Sequence, residues 1–306
     1  MIEIVFLGTS ASAPSIHRGL SAQVVLYKDH RFLVDCGEGT QRQILQSGLG
    51  FKRLNRILLT HGHLDHMLGL GGLISTFARW EAVDHIEIYG GSWALERVHD
   101  LIYGVVLRGA EPLIQIDFIE VRPGVILQDD SFEVVAFPVI HRGPCLGYLF
   151  REKARRPFLD ERAEALGLPR GPERRRLVSG EPVTLADGRV IHPDDVLGPP
   201  RQGALLAHVG DAGRTENLVD AVHNADMLVI EATYLQAESD MARRFGHLTV
   251  AQAARLAQDA GVHQLVLTHV SRRYREAQII EEARAIFPET VVARDFDRFR
   301  VLRRDT

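Results

Sequence analysis

The stretch that most constrains this chain is Thr60-His61-Gly62-His63-Leu64-Asp65-His66, which directly follows the apolar run Ile57-Leu58-Leu59. That run reads as a buried strand, and Met67-Leu68-Gly69-Leu70 onward reads as the start of a helix. The cluster therefore falls on a strand-to-helix loop, where a rigid support presents several ligands at once. If the loop begins extended, His61 and His63 point the same way, because strand side chains alternate with period two, and they can share one metal. Asp65 and His66 follow the turn and face a neighbouring position, which leaves room for a second metal. Imidazole and carboxylate groups suit zinc at a site that must also hold water.

The chain has 306 residues, enough for one large domain or two small ones with an ample core. Its apolar and charged fractions, 45% and 25%, are those of an ordinary globular protein. No apolar stretch approaches the roughly 18 residues of a membrane span. The opening Met1-Ile2-Glu3-Ile4-Val5-Phe6-Leu7-Gly8 lacks a basic flank and reads as a first strand, not a signal peptide. Cys36 and Cys145 are too few for a disulfide framework and fit a reducing cytoplasm. A net charge of −4 does not suggest a nucleic-acid binder, although a local basic patch could still do that work.

Residues 2–7, 21–27 and 31–35 read as short strands. The loop Gly8–Gly19 between the first two has small residues that allow close backbone approach. Its Arg18 could meet a phosphate, or the loop could be an ordinary polar hairpin. Asp35-Cys36-Gly37-Glu38-Gly39 closes a strand and opens a helix, with glycines that permit a tight turn under the metal loop. Asp35 could orient a ligating histidine or cap the helix. Residues 66–80 and 92–104 read as helices, and 86–89, 115–120 and 132–138 as strands. His141, Asp211, Glu231 and His269 each stand at the end of a strand-like run, the layout of a catalytic site built on one edge of the sheets. Thr249 is placed to cap a helix. The alternation of strands and helices implies an α/β layered architecture.

Residues 151–200 differ in character. They carry seven of the 13 prolines, and residues 151–176 hold nine basic against five acidic side chains. Such a segment, too proline-rich for a regular core element, reads as an arm inserted into a single domain spanning 1–306. It could bind a phosphate backbone electrostatically, or be a solvated loop.

Taken together, these motifs resemble the metallo-β-lactamase superfamily and, within it, the ribonuclease Z family of tRNA 3′-end endonucleases. His61-Gly62-His63-Leu64-Asp65-His66 carries the superfamily likeness. Asp35–Gln43, Glu231-Ala232-Thr233, Gly246-His247-Leu248-Thr249 and the arm with Gly171-Pro172 narrow it to the tRNA-processing branch. The resemblance implies a four-layer αββα sandwich with an inserted basic arm. It implies two Zn2+ per subunit, with Mn2+ or Fe2+ as alternatives that the same ligands accept. His61, His63 and His141 would bind one ion, Asp65, His66 and His269 the other, and Asp211 would bridge them. It also implies a cytoplasmic homodimer whose arm grips precursor tRNA, with Arg18, Gly171, Pro172, Arg174, Arg175 and Arg176 as expected substrate contacts.

Three positions depart from the family pattern. Pro14-Ser15-Ile16-His17-Arg18-Gly19 lacks the usual lysine and asparagine, Val209-Gly210-Asp211-Ala212 loses a hydroxyl, and His247-Leu248-Thr249 replaces His-Ser-Thr. None removes an expected ligand. The implied reaction is metal-assisted water attack on a phosphodiester, with Asp65 holding the water and His247, held by Glu231, serving the leaving 3′-oxygen. The competing readings are a dinuclear hydrolase of the same superfamily acting on a small phosphodiester or other ester, and a catalytically idle protein that binds RNA or stores metal.

Overall fold

Neighbouring residues of the central strands bury into different cores, and this sets the layer structure. In the computed structural model, which describes residues 1–80 and 83–303, Ile2, Ile4 and Phe6 join one buried cluster while Val5 and Leu7 join another. Met227 and Val229 likewise face the first cluster, and Leu228 and Ile230 a third. Both faces of these strands are covered, which explains why they read as continuous apolar runs without polar alternation. Residues 81, 82 and 304–306, within the span expected of the single domain, lie outside the described residues.

The strands run β1 Ile2–Gly8, β2 Ala22–Tyr27, β3 His30–Val34, β4 Arg56–Leu58, β5 His85–Gly90, β6 Gln115–Glu120, β7 Gly124–Gln128, β8 Phe132–His141, β9 Gly143–Glu152, β10 Val183–Thr184, β11 Val190–Ile191, β12 Leu205–His208, β13 Met227–Glu231, β14 Gln264–Thr268, β15 Thr290–Val292 and β16 Arg298–Arg300. They form two seven-stranded sheets, β16-β1-β2-β3-β4-β5-β6 and β15-β14-β13-β12-β9-β8-β7. The first is antiparallel from β16 to β3 and parallel from β3 to β6. The second is parallel from β12 to β15. One apolar cluster fills the space between the sheets, and the other two lie under the helices on the outer faces. This is the four-layer αββα sandwich of the metallo-β-lactamase fold.

Two element bounds differ from the sequence reading. The strand read over 132–138 runs on as β8 through His141, and only Arg142 separates it from β9. Gly143 and Pro144 look like loop punctuation, but both are in β9, at its exposed start. The expected helix 92–104 is an α-helix over Ser92–His99 that continues as a π-helical stretch, Asp100–Leu107.

The chain divides into two compact units, 1–151 with 204–306, and 152–203. The smaller unit has regular structure of its own. It contains helices Asp160–Ala165, Pro172–Val178 and Pro193–Val196, the β10–β11 hairpin, and a core of Ala163, Leu168, Leu177, Val183, Ile191, Val196 and Leu197. Pro172 and Pro193 start helices, where proline's fixed φ is already helical. High proline content is therefore compatible with a small core here.

Polar groups also join the sheets. Tyr148 Oη donates to the Leu59 carbonyl (2.7 Å), and the Leu146 N–H donates to the Thr60 carbonyl (2.8 Å), tying the second sheet to the metal loop. Buried His208 on β12 donates from Nε2 to Gln23 Oε1 on β2 (3.0 Å), while Gln23 Nε2 donates to the Gly8 carbonyl. Burial lowers the His208 pKa from 6.5 to about 4. Between those values the unfolded chain holds more protons than the folded one, so stability is lost as pH falls through this window. We predict that His208→Gln gains about 2 kcal/mol relative to wild type between pH 7 and pH 5, read from urea unfolding at each pH. Parallel pH profiles for the two proteins would refute it.

Candidate metal centre

The expected site residues arrive from six strand ends. Asp35 follows β3, His61 to His66 follow β4, His141 ends β8, Asp211 follows β12, Glu231 ends β13 and His269 follows β14. The helix after β4 starts at Leu64 with His63 extended before it, so the turn falls between the two halves of the motif. Gly69, the first residue of the following helix Gly69–Trp80, lies against the Asp35 loop. A Cβ there would stand 2.1 Å from the Gly37 carbonyl oxygen. Close backbone approach is the reason for glycine at this position.

His61, His63, His141 and Asp211 form one group of donor atoms, and Asp65, His66 and His269 another, each within 4.8 Å. His61 Nε2 and His141 Nε2 lie 2.8 and 3.3 Å from His63 Nδ1, and each lies 3.8 Å from Asp211 Oδ2. His66 Nε2 and His269 Nε2 both lie 3.4 Å from Asp211 Oδ1, and 3.7 and 3.5 Å from Asp65 Oδ2. Tetrahedral bonds of about 2.0–2.1 Å place ligand nitrogens about 3.3 Å apart, so this spacing fits such ions. Asp211 divides its two oxygens between the groups. His66 Nε2 and Asp211 Oδ1 are buried without a hydrogen-bond partner, as expected of atoms whose partner is an ion.

The opposite nitrogens of four histidines are held from behind. His61 Nδ1–H donates to Thr60 Oγ1 (2.9 Å), His66 Nδ1–H to Asp35 Oδ2 (2.7 Å), His141 Nδ1–H to the Gly246 carbonyl (2.6 Å) and His269 Nδ1–H to Thr233 Oγ1 (3.1 Å). Each bond fixes the tautomer that leaves Nε2 free to ligate. Asp35 also accepts from Thr60 N (2.8 Å) and Thr60 Oγ1 (2.8 Å), so it orients the loop and caps no helix. The hydroxyls of Thr60 and Thr233 had no role assigned in the sequence. Their signal was adjacency to His61 and Glu231.

Burial lowers the pKa of His61, His63 and His141, which favours the neutral form that a ligand needs. Burial opposes the charged forms of Asp65 and Asp211, but His269 and His66 outweigh it and hold both below the usual carboxylate range. His66 is pushed up, burial being outweighed by Asp211 and Asp35.

Beside the cluster, His247 Nδ1–H donates to Glu231 Oε1 (3.0 Å). Glu231 also accepts from Ala212 N, Thr233 Oγ1 and Leu248 N, so its charge is fully satisfied although buried. Burial lowers the His247 pKa, but Glu231 overrides it and raises the value to about 9. A divalent charge nearby would draw it down again. A cavity of about 330 Å3 opens over these groups, lined by Ser12, His63, Asp65, Arg142, Asp211, Tyr234, Phe245 and His247. Ser12, Arg142, Tyr234 and Phe245 carried no signal separable from ordinary loop residues.

The remaining expected contacts differ. Arg18 is turned inward, donating to Thr9 Oγ1, the Ala293 carbonyl and Glu276, which leaves it a structural role in its loop. Within the smaller unit, Arg174 is mostly buried against Asp160, the Pro169 and Leu168 carbonyls and the Phe158 ring. Arg175 and Arg176 are exposed, and Arg176 pairs with Glu181. Gly171 and Pro172 start the helix that carries them.

A family model described as the metallo-beta-lactamase superfamily matches residues 18–213. Ribonuclease Z of Bradyrhizobium sp. (strain ORS 278) is 48% identical over 302 residues, covering 98% of this chain and 100% of that protein. Ribonuclease Z of Methanothermobacter thermautotrophicus is 38% identical, covering 96% and 95%. The crystal structure of the short form of human tRNase Z superposes with a TM-score of 0.70 at 26% identity, covering 98% and 99%. A diphosphatase from the PhnP family shares the fold at 15% identity and a TM-score of 0.66.

Asp35→Asn keeps the shape but can accept through one oxygen only and presents an amide to the His66 Nδ1–H. Metal affinity should fall about 10- to 100-fold, read by competition with a chromogenic chelator. Unchanged affinity would show that Asp35 does not orient the ligand.

Proposed function

We infer the function of this chain from its family: it belongs to the ribonuclease Z family of the metallo-β-lactamase superfamily. It is a metal-dependent endoribonuclease that removes the 3′ trailer from precursor tRNA. The observation that carries this reading is identity of 48% along essentially the whole length of a ribonuclease Z. The sandwich fold alone would not suffice, since a diphosphatase shares it.

The histidine and aspartate cluster supports a divalent metal. We assign it as two Zn2+ ions, one held by His61, His63 and His141, the other by Asp65, His66 and His269, with Asp211 shared. When bound, the metal supplies charge that acidifies water and neutralises phosphate oxygens. Asp65 accepts the proton of the attacking water as its oxygen bonds to phosphorus. As the P–O3′ bond breaks, His247 donates a proton to the departing 3′-oxygen, and Glu231 holds its ring and stabilises its charged form. The products are a tRNA 3′-hydroxyl and a trailer 5′-phosphate. A smaller ester as the natural substrate, or an idle binding role, is disfavoured by the retention of this acid–base pair beside a complete ligand set.

We assign the smaller unit, with exposed Arg175 and Arg176, to gripping tRNA, and we infer a cytoplasmic homodimer. Exposed apolar side chains such as Trp80 and Val105 support a partner surface. Among the described residues no helix is long and apolar enough to cross a membrane.

Precursor tRNA with a short trailer should be cut at one position in a chelator-sensitive reaction. His247→Ala should slow single-turnover cleavage by about 10²-fold or more while leaving tRNA affinity nearly intact. Weakened binding with normal cleavage would contradict the role given to His247. Replacing residues 152–203 by a short linker should weaken tRNA binding yet spare hydrolysis of bis(p-nitrophenyl) phosphate. Loss of the small-substrate reaction would instead make that unit part of the core.

A further inference from the structure

The cavity over the metal cluster has two unlike walls. On one side the Ser12 N–H donates to Asp65 Oδ2 (3.1 Å), placing this wall beside the group that handles the attacking water. On the other, Arg142, Tyr234 and Phe245 gather around His247. The Tyr234 and His247 rings lie 6.3 Å apart. Phe245 is two residues before His247 in sequence, and the Arg142 guanidinium stands 5.8 Å from the Phe245 ring centre. Arg142 also donates to the Arg244 carbonyl, and its Cγ lies where a Cβ on Gly246 would crowd it. Arg142 is the single residue between β8 and β9, directly after His141, so its backbone is fixed by two strands and one ligand.

Among the described residues lining this cavity Arg142 is the one arginine or lysine, and Phe245 remains partly exposed. A planar guanidinium beside an exposed ring matches a nucleotide: the guanidinium suits a phosphate and the ring suits a base face. Resting on the ribonuclease reading above, we propose that Arg142 and Phe245 form the subsite for the last nucleotide retained by the tRNA. Phe245 stacks on its base, and Arg142 binds the phosphate on its 5′ side. The side is fixed by His247. The leaving 3′-oxygen belongs to the retained nucleotide, and this wall adjoins the residue that protonates it.

The test pairs each variant with a substrate lacking the matching group, under single-turnover conditions with the metal-loaded enzyme. Phe245→Ala should lower kcat/KM on precursor tRNA about 10-fold, since a base stack is of that order. It should change cleavage less than twofold when the retained nucleotide is abasic. Arg142→Ala should cost about 10-fold or more on the natural substrate. It should cost almost nothing when the phosphate on the 5′ side is a neutral methylphosphonate. Equal losses on natural and modified substrates would overturn the subsite and give the two residues a purely structural role. So would cleavage within twofold of wild type by both variants on natural tRNA. Arg142→Lys, which keeps the charge and the stem that packs on Gly246, should recover part of the loss, and no recovery counts against phosphate contact. If the wild-type enzyme cuts no precursor tRNA, the ribonuclease reading fails and this subsite with it. If the wild type cuts and the pairing is absent, only the subsite fails.

Discussion

A single buried carboxylate, Asp35, holds the working end of this molecule in place. It lies at the end of β3 with a left-handed φ of 57° and is wholly shielded from solvent. Burying a charge of this kind is costly unless it is hydrogen-bonded. Three bonds meet that requirement, and all come from the segment after β4: Thr60 N and Thr60 Oγ1 from its loop and His66 Nδ1 from the short helix that follows. One carboxylate therefore fixes both the start and the end of the histidine motif against a neighbouring strand. Cys36 N adds a backbone bond to the His66 carbonyl, so the two loops are laced together.

From that anchor the electrostatics follow. Asp211 is buried with one oxygen towards each histidine group, and Asp65 is close by. Two carboxylates this near each other are stable in their charged forms only among positive charge. Among the protein's own groups, the neighbouring His66 and His269 imidazoles hold both carboxylates below the usual carboxylate range. Divalent ions would take over this task, which links metal binding to the stability of the loops. His247 is held by Glu231, which is satisfied by Ala212, Thr233 and Leu248 before it meets the imidazole. The ligand system and the acid–base system share a cavity and are joined behind it by Thr233 Oγ1, which accepts from His269 Nδ1–H and donates to Glu231.

The smaller unit shows how composition can mislead about structure and still inform about charge. Its prolines begin helices and its leucines and valines close a small core. Much of its arginine is paired, as with Asp160, Glu164, Glu181 and Asp194, so the positive surface is narrower than the residue count suggests. Arg175 and Arg176 are exposed on a short helix, and Arg176 is paired with Glu181.

The sequence by itself determined the strands and the metal-type chemistry, because both depend on short-range patterns. Apolar runs such as Ile57-Leu58-Leu59 and Met227–Ile230 mark strands buried on both faces, and ligand spacing within His61–His66 is set by one loop. His141, Asp211 and His269 stood out as residues at strand ends, and their assignment to particular ions came only with a family resemblance. Only the tertiary structure decided which nitrogen of each histidine faces the cluster, since that depends on partners far away in the chain, such as Gly246 for His141. It also turned Arg18 inward and extended β8 through His141, because pairing and packing outweigh local signals such as Gly143-Pro144. The wall of Arg142, Tyr234 and Phe245 likewise exists only once β8, β13 and the His247 loop converge. No local pattern encodes a cavity whose sides come from residues a hundred positions apart.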